Sequence, residues 1–466
     1  MNLFGKLRRW WNSLFAVEGI EKALDVKIAT SSEMQQAQEL WRSMFYGQAP
    51  WNTDKIKSKR TAAAIVTEFA RVCTVEFESS MAGSPRADWL NEQYQPFIEN
   101  TSFQNMVGQL SAGGELVLKP SVNVNNGITV SIIENNCYFP IRYNSDDSLM
   151  EFITKRSILK DDDYFTLLEH NNYDAENRRF EVKYYAFKSD SPDKLGVQVP
   201  LGAVDEWADL QERYPYVNVS PWFVHIKTPM QNDVEQSGKN GISVFSKAIE
   251  AIRELDELAE LISHEFKAGR LRQTVTSDMV KKDKNGEYAV DSDVFMVIEG
   301  TGMNGEGILS TYNPEPRIEA YRAREQQLQR EIEFLCQMSY GMLSNAQQQE
   351  KTATEVRFSK ERFYNVNLSI QKTWEQAFEK LINIMDEMAT VYSLAPQGEY
   401  ETSYSWGDSI MADRNIEFQE KMQLIAADVL SPFEMRAWYL GISDKEAIET
   451  LPNTEPPDVV ENEGVE

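Results

Sequence analysis

Residues 241–270 read GISVFSKAIEAIRELDELAELISHEFKAGR, and this stretch decides the fold. Its apolar side chains recur at alternating steps of three and four residues. That spacing is typical of a helix packed lengthwise along a neighbouring helix. We therefore predict a helix over residues 241–269, whose packing stripe includes Phe245, Ile252, Leu255, Ile262 and Phe266.

A second helix is predicted downstream, over residues 316–339. Pro316 suits its start, because a proline is tolerated in the first turn of a helix. Between the two helices, residues 270–315 contain short strand-like runs and the glycine-rich loop GTGMNGEG at 300–307. Two helices therefore flank a small β-rich excursion.

A polar loop over residues 340–352 follows the second helix. Thr352 and Glu355 then fit the capping-box pattern, in which the two side chains cap each other's backbone amides at a helix start. We predict a long helix from residue 353, with its connection running to 406. The loop before it is polar and almost uncharged, and its candidate functional residues are Asn345, Gln347, Gln348, Gln349 and Lys351. Taken alone, it also fits a flexible surface connection between helices.

The rest of the chain gives an α+β pattern. Residues 31–75 have helical character, whereas residues 115–225 hold short β-branched and aromatic runs between Asn, Asp and Gly clusters. Those runs predict a mostly antiparallel sheet region. Residues 407–450 again look helical, and the acidic, proline-containing tail 451–466 has the composition of a disordered segment.

The formal net charge of −26 over 466 residues is the most unusual bulk property. Tight general binding of nucleic acid relies on Lys and Arg neutralising phosphates, so a chain this acidic is a poor candidate for it. The charge fits either ordinary solubilisation or a surface that keeps a polyanion from sticking. Three widely spaced cysteines without a CxxC pair fit a reducing compartment. No apolar run is long enough to span a bilayer, so we expect no membrane partner.

A search for catalytic chemistry leaves no candidate. EQSGKNGIS lacks the glycine and Ser/Thr positions of a phosphate-binding loop, and neither GxSxG nor HExxH occurs. The three histidines lie in unrelated segments. We therefore expect no enzyme activity, no metal site and no cofactor.

The order of the segments resembles the portal proteins of tailed bacteriophages, with the long-tailed type as the nearest likeness. It is carried by FVHIKTPMQND (223–233), the stretch 241–270, the β excursion, the second helix and EKTATEV (350–356). MQQAQELWRSMFYGQAPW (34–51), SFQNMVGQLSAGGELVLKP (102–120) and NNCYFPIRYNSDDSLMEFI (135–153) agree with it. The resemblance covers about residues 30–450.

The resemblance implies a portal-protein fold with named parts. Residues 1–240 would be the wing, 241–269 and 316–339 the stem helices, and 270–315 the clip. The tunnel loop would be 340–352, the long wing helix with its connection 353–406, and the crown 407–450.

The resemblance also implies a function and partners. About twelve subunits would form a ring at one capsid vertex, through which double-stranded DNA is packaged and ejected. The partners implied are the terminase large subunit, the major capsid and scaffolding proteins, and head–tail connector proteins. The protein would belong to the virion and, during assembly, to the host cytoplasm. The alternatives are a helical scaffold or adaptor of a phage particle without a DNA channel, and an enzyme whose site the sequence does not reveal.

Overall fold

The computed structural model describes most of the chain up to the acidic tail. The described residues are 17–123, 125–192, 194–236, 238–268, 272–277, 280–281, 295–298, 309–312, 317–345, 353–406, 414–427, 429–440 and 447. The chain divides into two compact units after Trp406. Residues 1–16, the glycine-rich loop 300–307, most of the polar loop 340–352 and the acidic tail 451–466 lie outside the described residues.

Four helices form the first layer of the larger unit. The hydroxyl of Ser31 accepts a hydrogen bond from the Met34 amide, and that of Ser84 accepts one from the Ala87 amide, so two helix starts are capped. The helices are α1 (Ser32–Phe45), α2 (Thr61–Thr74), α3 (Pro85–Thr101) and α4 (Phe103–Gly113).

Antiparallel sheets form the second layer, which confirms the sheet region predicted for 115–225. β2 (Glu115–Val122) lies between β3 (Ile128–Glu134) and β10 (Val224–Lys227). The larger sheet runs through β4 (Tyr138–Tyr143), β5 (Leu149–Lys160), β6 (Asp163–Asp174), β7 (Arg179–Ser189) and β8 (Val197–Val199), and β9 (Arg213–Val217) also pairs with β7. A separate pair joins β1 (Glu78–Ala82) to β14 (Glu401–Ser405). Helices and antiparallel sheets in one unit confirm the α+β class.

The first predicted stem helix begins later than residue 241. α5 spans Ile249–Ala268 and follows a 3-10 turn over Ser246–Ala248. The preceding backbone is bonded to α4 and to the residue after β10 instead. The Val244 amide donates to the Ser111 carbonyl of α4, and the Thr228 hydroxyl donates to the Ile242 carbonyl. The apolar periodicity extends through residues 241–248 because the apolar side chains there are also buried, although these residues are not part of α5.

Two more long helices follow. α6 spans Ile318–Leu335, ending before the predicted residue 339 where Gln337 takes a left-handed backbone (φ 57°). α7 spans Ala353–Val391, and Thr352 of the predicted capping box lies outside the described residues. Between α5 and α6, β11 (Arg272–Thr276) pairs in parallel with β12 (Phe295–Ile298) and antiparallel with β13 (Leu309–Tyr312).

The smaller unit contains the helices α8 (Arg414–Ala426) and α9 (Pro432–Leu440). In the larger unit, α7 supplies much of the core, and Ile370, Trp374, Phe378 and Leu381 are fully buried. Within the described parts of the chain, no helix is both long and apolar enough to cross a membrane.

Candidate functional site: the helix pair and the base of its loop

Helices α5 and α6 form an antiparallel pair that carries the β11–β13 sheet between its distal ends. Arg317 at the start of α6 pairs with Glu265 near the end of α5, with Nη2 and Oε2 3.0 Å apart. Further along, Arg324 bonds both carboxylate oxygens of Glu254, at 2.8 and 2.7 Å. Partner numbers fall on α5 as they rise on α6, so the two helices run in opposite directions. Hydrogen bonding to Arg317 lowers the pKa of Glu265.

The packing stripe predicted on α5 is covered over only part of its length. Phe245, Ile252 and Leu255 are buried, and Phe245 lies in the turn before the helix. Ile262 is half-buried. Phe266 is 52% exposed, and Leu261 beside the stripe is 51% exposed. The distal half of α5 therefore leaves large apolar side chains uncovered in a single chain.

The turn that leads into the polar loop is fixed by one buried carboxylate, Glu333 of α6. Its Oε1 accepts hydrogen bonds from the backbone amides of Gly341 (3.1 Å), Leu343 (2.7 Å) and Ser344 (2.8 Å). Its Oε2 accepts one from the Ser344 hydroxyl at 2.8 Å. Four donors on one carboxylate clamp residues 341–344 onto the helix.

The residue after this clamp is also tied to α6. The Asn345 amide donates to Oε1 of Gln326 at 2.9 Å, while the Asn345 side chain is exposed. Gln347, Gln348, Gln349, Lys351 and Thr352 lie outside the described residues, and Glu355 is placed only as a backbone position in α7. Of the predicted loop residues, the structure thus places Asn345 alone, at the rim of the clamp.

Glu333 was missed by the sequence reasoning, although one signal was present. It lies in the last turn of α6, where the helix dipole favours a cation rather than a carboxylate. An acid at that position needs local donors, and the turn that follows supplies them.

Both helices of the pair are bonded to the basic segment KIKSKR (residues 55–60), which precedes α2, and α5 is also bonded to Trp51 before that segment. Asp256 of α5 accepts hydrogen bonds from the Trp51 indole (3.0 Å) and the Lys59 amide (2.7 Å), while the Lys59 ammonium pairs with Glu325 of α6. Burial, the largest influence, raises the pKa of Asp256 despite these bonds. This basic segment therefore braces both helices at one point.

The described part of the site consists of side chains and backbone groups that hydrogen bonds and ion pairs hold in fixed positions. Within the described residues, no group of three or more His, Cys, Asp or Glu side chains is arranged to hold a metal ion. Two of the three histidines pair with glutamates inside the sheet layer, His170 with Glu151 and His225 with Glu115.

Sequence comparison gives the family. The family described as "Phage portal protein, SPP1 Gp6-like" matches residues 89–454. The chain belongs to this portal protein family. The match includes the helix pair, the sheet between the helices, the clamp and all of α7. The resemblance inferred from segment order is thereby confirmed.

Two solved structures similar to this portal protein come from gene transfer agent particles. One is titled "Virion of native gene transfer agent (GTA) particle", with a TM-score of 0.44 and 12% identity over 88% of this chain and 94% of that chain. The other is titled "Neck of native GTA particle computed with C12 symmetry", with a TM-score of 0.45 and 13% identity over the same shares. The comparison with curated protein sequences gives no match.

Proposed function

We propose that this chain assembles into a ring of about twelve copies at one capsid vertex, and that double-stranded DNA is packaged and ejected through the ring. The observation that carries the proposal is the family match over residues 89–454. The antiparallel pair α5–α6, with a small sheet at one end and a clamped loop at the other, supports it. The protein would act as a structural conduit of the virion, without catalysis, metal or cofactor.

The proposal assigns a role to each segment. Residues 1–240 form the wing, 241–269 and 316–339 the stem, and 270–315 the clip. Residues 340–352 form the tunnel loop, 353–406 the long wing helix with its connection, and 407–450 the crown, followed by the tail 451–466. The clip is the docking site for the terminase large subunit during packaging and later for head–tail connector proteins. The major capsid and scaffolding proteins surround the ring during assembly in the host cytoplasm.

Charge and exposure agree with a ring around DNA. About twelve copies of a chain with net charge −26 carry about −300 in total, so the assembly as a whole does not attract DNA strongly. Each phosphate held by a lysine would add a barrier to sliding. A loop rich in Gln347, Gln348 and Gln349 can touch a duplex without holding it. The uncovered apolar side chains Leu261 and Phe266 would be buried by neighbouring copies.

Imaging and native mass of the purified full chain test the ring. We expect a closed ring whose central hole admits a duplex about 20 Å wide. A monomer, a rod or a disc without a hole would instead support the scaffold or adaptor.

A triple replacement of Gln347, Gln348 and Gln349 by lysine tests the channel itself. With rings still formed, the packaged DNA per particle should fall, because each copy adds three phosphate-binding charges to the path. The matched control replaces three exposed glutamines elsewhere, Gln198, Gln211 and Gln376, by lysine, which adds the same charge. Wild-type packaging by the loop variant would contradict exposure of this loop to DNA.

A further inference from the structure

A cavity of about 380 Å³ lies between the foot of the stem and the long helix α7. Its lining residues come from three parts of the chain. The first comprises residues within 229–231 and 242–247, which precede α5. The others are residues 335 and 337 at the end of α6 and residues within 362–369 of α7. Its neutral polar side chains include Ser246, Gln337 and Asn365. Two of its lining residues, Leu335 and Gln337, follow Glu333 closely along the chain.

The charged residues that line this cavity are both cations, Lys247 and Arg362. Lys247 is exposed and Arg362 is half-buried. No carboxylate occurs among the described lining residues. This is unusual in a chain with 73 acidic and 47 basic residues, because random placement would bring more acids than bases to a pocket wall.

The guanidinium of Arg362 is held in place with part of its hydrogen-bonding capacity unused. Its Nη2 donates to the Met338 carbonyl at 3.3 Å, and its centre lies 5.0 Å from the ring centroid of Phe334. Its Nε is buried and has no acceptor among the described residues. A buried donor without an acceptor is costly, so an acceptor from outside the described residues would stabilise this site. Phe334 beside it is 66% exposed, which leaves an apolar surface next to the cavity.

We propose that this cavity is an interface pocket that receives a carboxylate side chain from a neighbouring copy of the same chain. The inference rests on the ring proposed above and names one of its contacts. A carboxylate matches the planar fork of a guanidinium and supplies the acceptor that Nε lacks. Lys247 adds a second positive charge, and Phe334 offers the apolar rim that interfaces bury. Because every copy is rich in Asp and Glu, a neighbouring copy can supply the ligand.

A DNA phosphate is the competing ligand, and the observations favour the carboxylate. The cavity is concave and built from three segments, with its arginine anchored, which suits one fixed partner. A duplex that slides would be retarded by cation pockets that grip its phosphates. If a carboxylate of a neighbouring copy neutralises the two cations, the pocket no longer retains the phosphates of the sliding DNA.

The test compares charge reversals inside and beside the pocket in the full-length protein. Arg362→Glu and Lys247→Glu reverse a lining charge, whereas the control Lys360→Glu reverses an exposed lysine two residues away on α7. Native mass spectrometry over a dilution series gives the concentration at which rings dissociate, and DNA per particle is measured on assembled heads. We expect both pocket variants to raise the dissociation concentration at least about tenfold and the control to leave it unchanged.

The possible results distinguish a failure of the pocket assignment from a failure of the proposed ring. If the wild-type chain forms no ring, the proposed function fails and the pocket assignment fails with it. If wild-type rings form and both pocket variants assemble as the control does, only the pocket assignment is overturned. Intact rings with reduced DNA packaging would also overturn it, in favour of a phosphate ligand. Should Arg362→Glu lower the melting temperature, Lys247→Glu decides, since that side chain is exposed.

Discussion

Glu115 at the start of β2 and Glu333 in the last turn of α6 are each only 2% exposed, yet they organise different kinds of structure. Glu115 accepts hydrogen bonds from Gln38 (3.0 Å), Asn240 (3.0 Å) and His225 (3.1 Å). These donors lie 77, 125 and 110 residues away along the chain. Glu115 therefore joins α1, β10 and the segment before α5 at one point.

Glu333 takes its donors from the next few residues instead. Gly341, Leu343 and Ser344 lie 8 to 11 residues further along the chain. The first carboxylate is a cross-link between distant segments, whereas the second is a local clamp. The difference teaches that a similar degree of burial can serve global stability in one region and the geometry of one loop in another.

The largest expected effect comes from removing the cross-link made by Glu115. Glu115→Ala leaves His225, Gln38 and Asn240 without their shared acceptor at a buried position. Breaking a buried pair by removing one partner costs about 3–5 kcal/mol, so the free energy of unfolding in urea should fall by that amount. The control Glu92→Ala removes an exposed acid on α3 and should change it by no more than about 0.5 kcal/mol. A loss as small as that of the control would show that Glu115 is no cross-link.

The loop clamp should give a smaller and more local effect. Glu333→Ala leaves the amides of Gly341, Leu343 and Ser344 without an acceptor, at a cost of about 1–3 kcal/mol. Hydrogen exchange at those amides should accelerate about tenfold to a hundredfold, while exchange in β2 stays as in the wild type. Glu331→Ala, an exposed acid two residues earlier, is the control. Equal acceleration throughout the chain would erase the distinction between clamp and cross-link.

Sequence patterns predicted those parts of the fold that depend on local signals. The α+β class and the antiparallel region follow from the periodicity of apolar side chains, which acts within a few residues. The capping box of Thr352 and Glu355 stays a prediction, because Thr352 lies outside the described residues. The start of α5 did not follow, because apolar periodicity indicates that side chains are buried but not what they pack against. Residues 241–245 are buried, and the Val244 amide is hydrogen-bonded to Ser111 of α4.

The candidate site was less predictable for the same reason. Glu333 meets its donors only once the turn after α6 has formed, and the cavity beside Arg362 needs three remote segments. Phe266 shows a second limit of sequence patterns. Its position in the apolar stripe of α5 predicted that it would be packed, yet it is exposed in a single chain. A pattern shared by all copies cannot tell contacts within a chain from contacts between chains.

Acid offers a way to weaken the Glu115 cross-link without replacing its side chain. Burial, the largest influence, would raise the pKa of Glu115, but the hydrogen bond and charge of His225, with Asn240 and the Gly241 amide, bring it below its usual value. A carboxyl group with a lowered pKa in the folded state stabilises the protein above its unfolded pKa, and that contribution is lost as pH falls through the folded pKa. The stability difference between wild type and Glu115→Gln should therefore be constant near neutrality and shrink below about pH 4. Parallel stability curves down to pH 3 would contradict the lowered pKa.

The smallest effect is expected where the carboxylate is exposed. Glu254 of α5 and Arg324 of α6 make two hydrogen bonds between the two helices, but their side chains are 47% and 37% exposed. Solvent therefore screens the pair, and a double-mutant cycle with Glu254→Gln and Arg324→Gln should give a coupling of about 0.5 kcal/mol. Salt at about 1 M should reduce it further, because the screening length falls to about 3 Å. A coupling above about 2 kcal/mol would mean that hydrogen-bond geometry matters more than burial for this pair. The degree of burial would then no longer explain why Glu115, Glu333 and Glu254 are expected to contribute in that order.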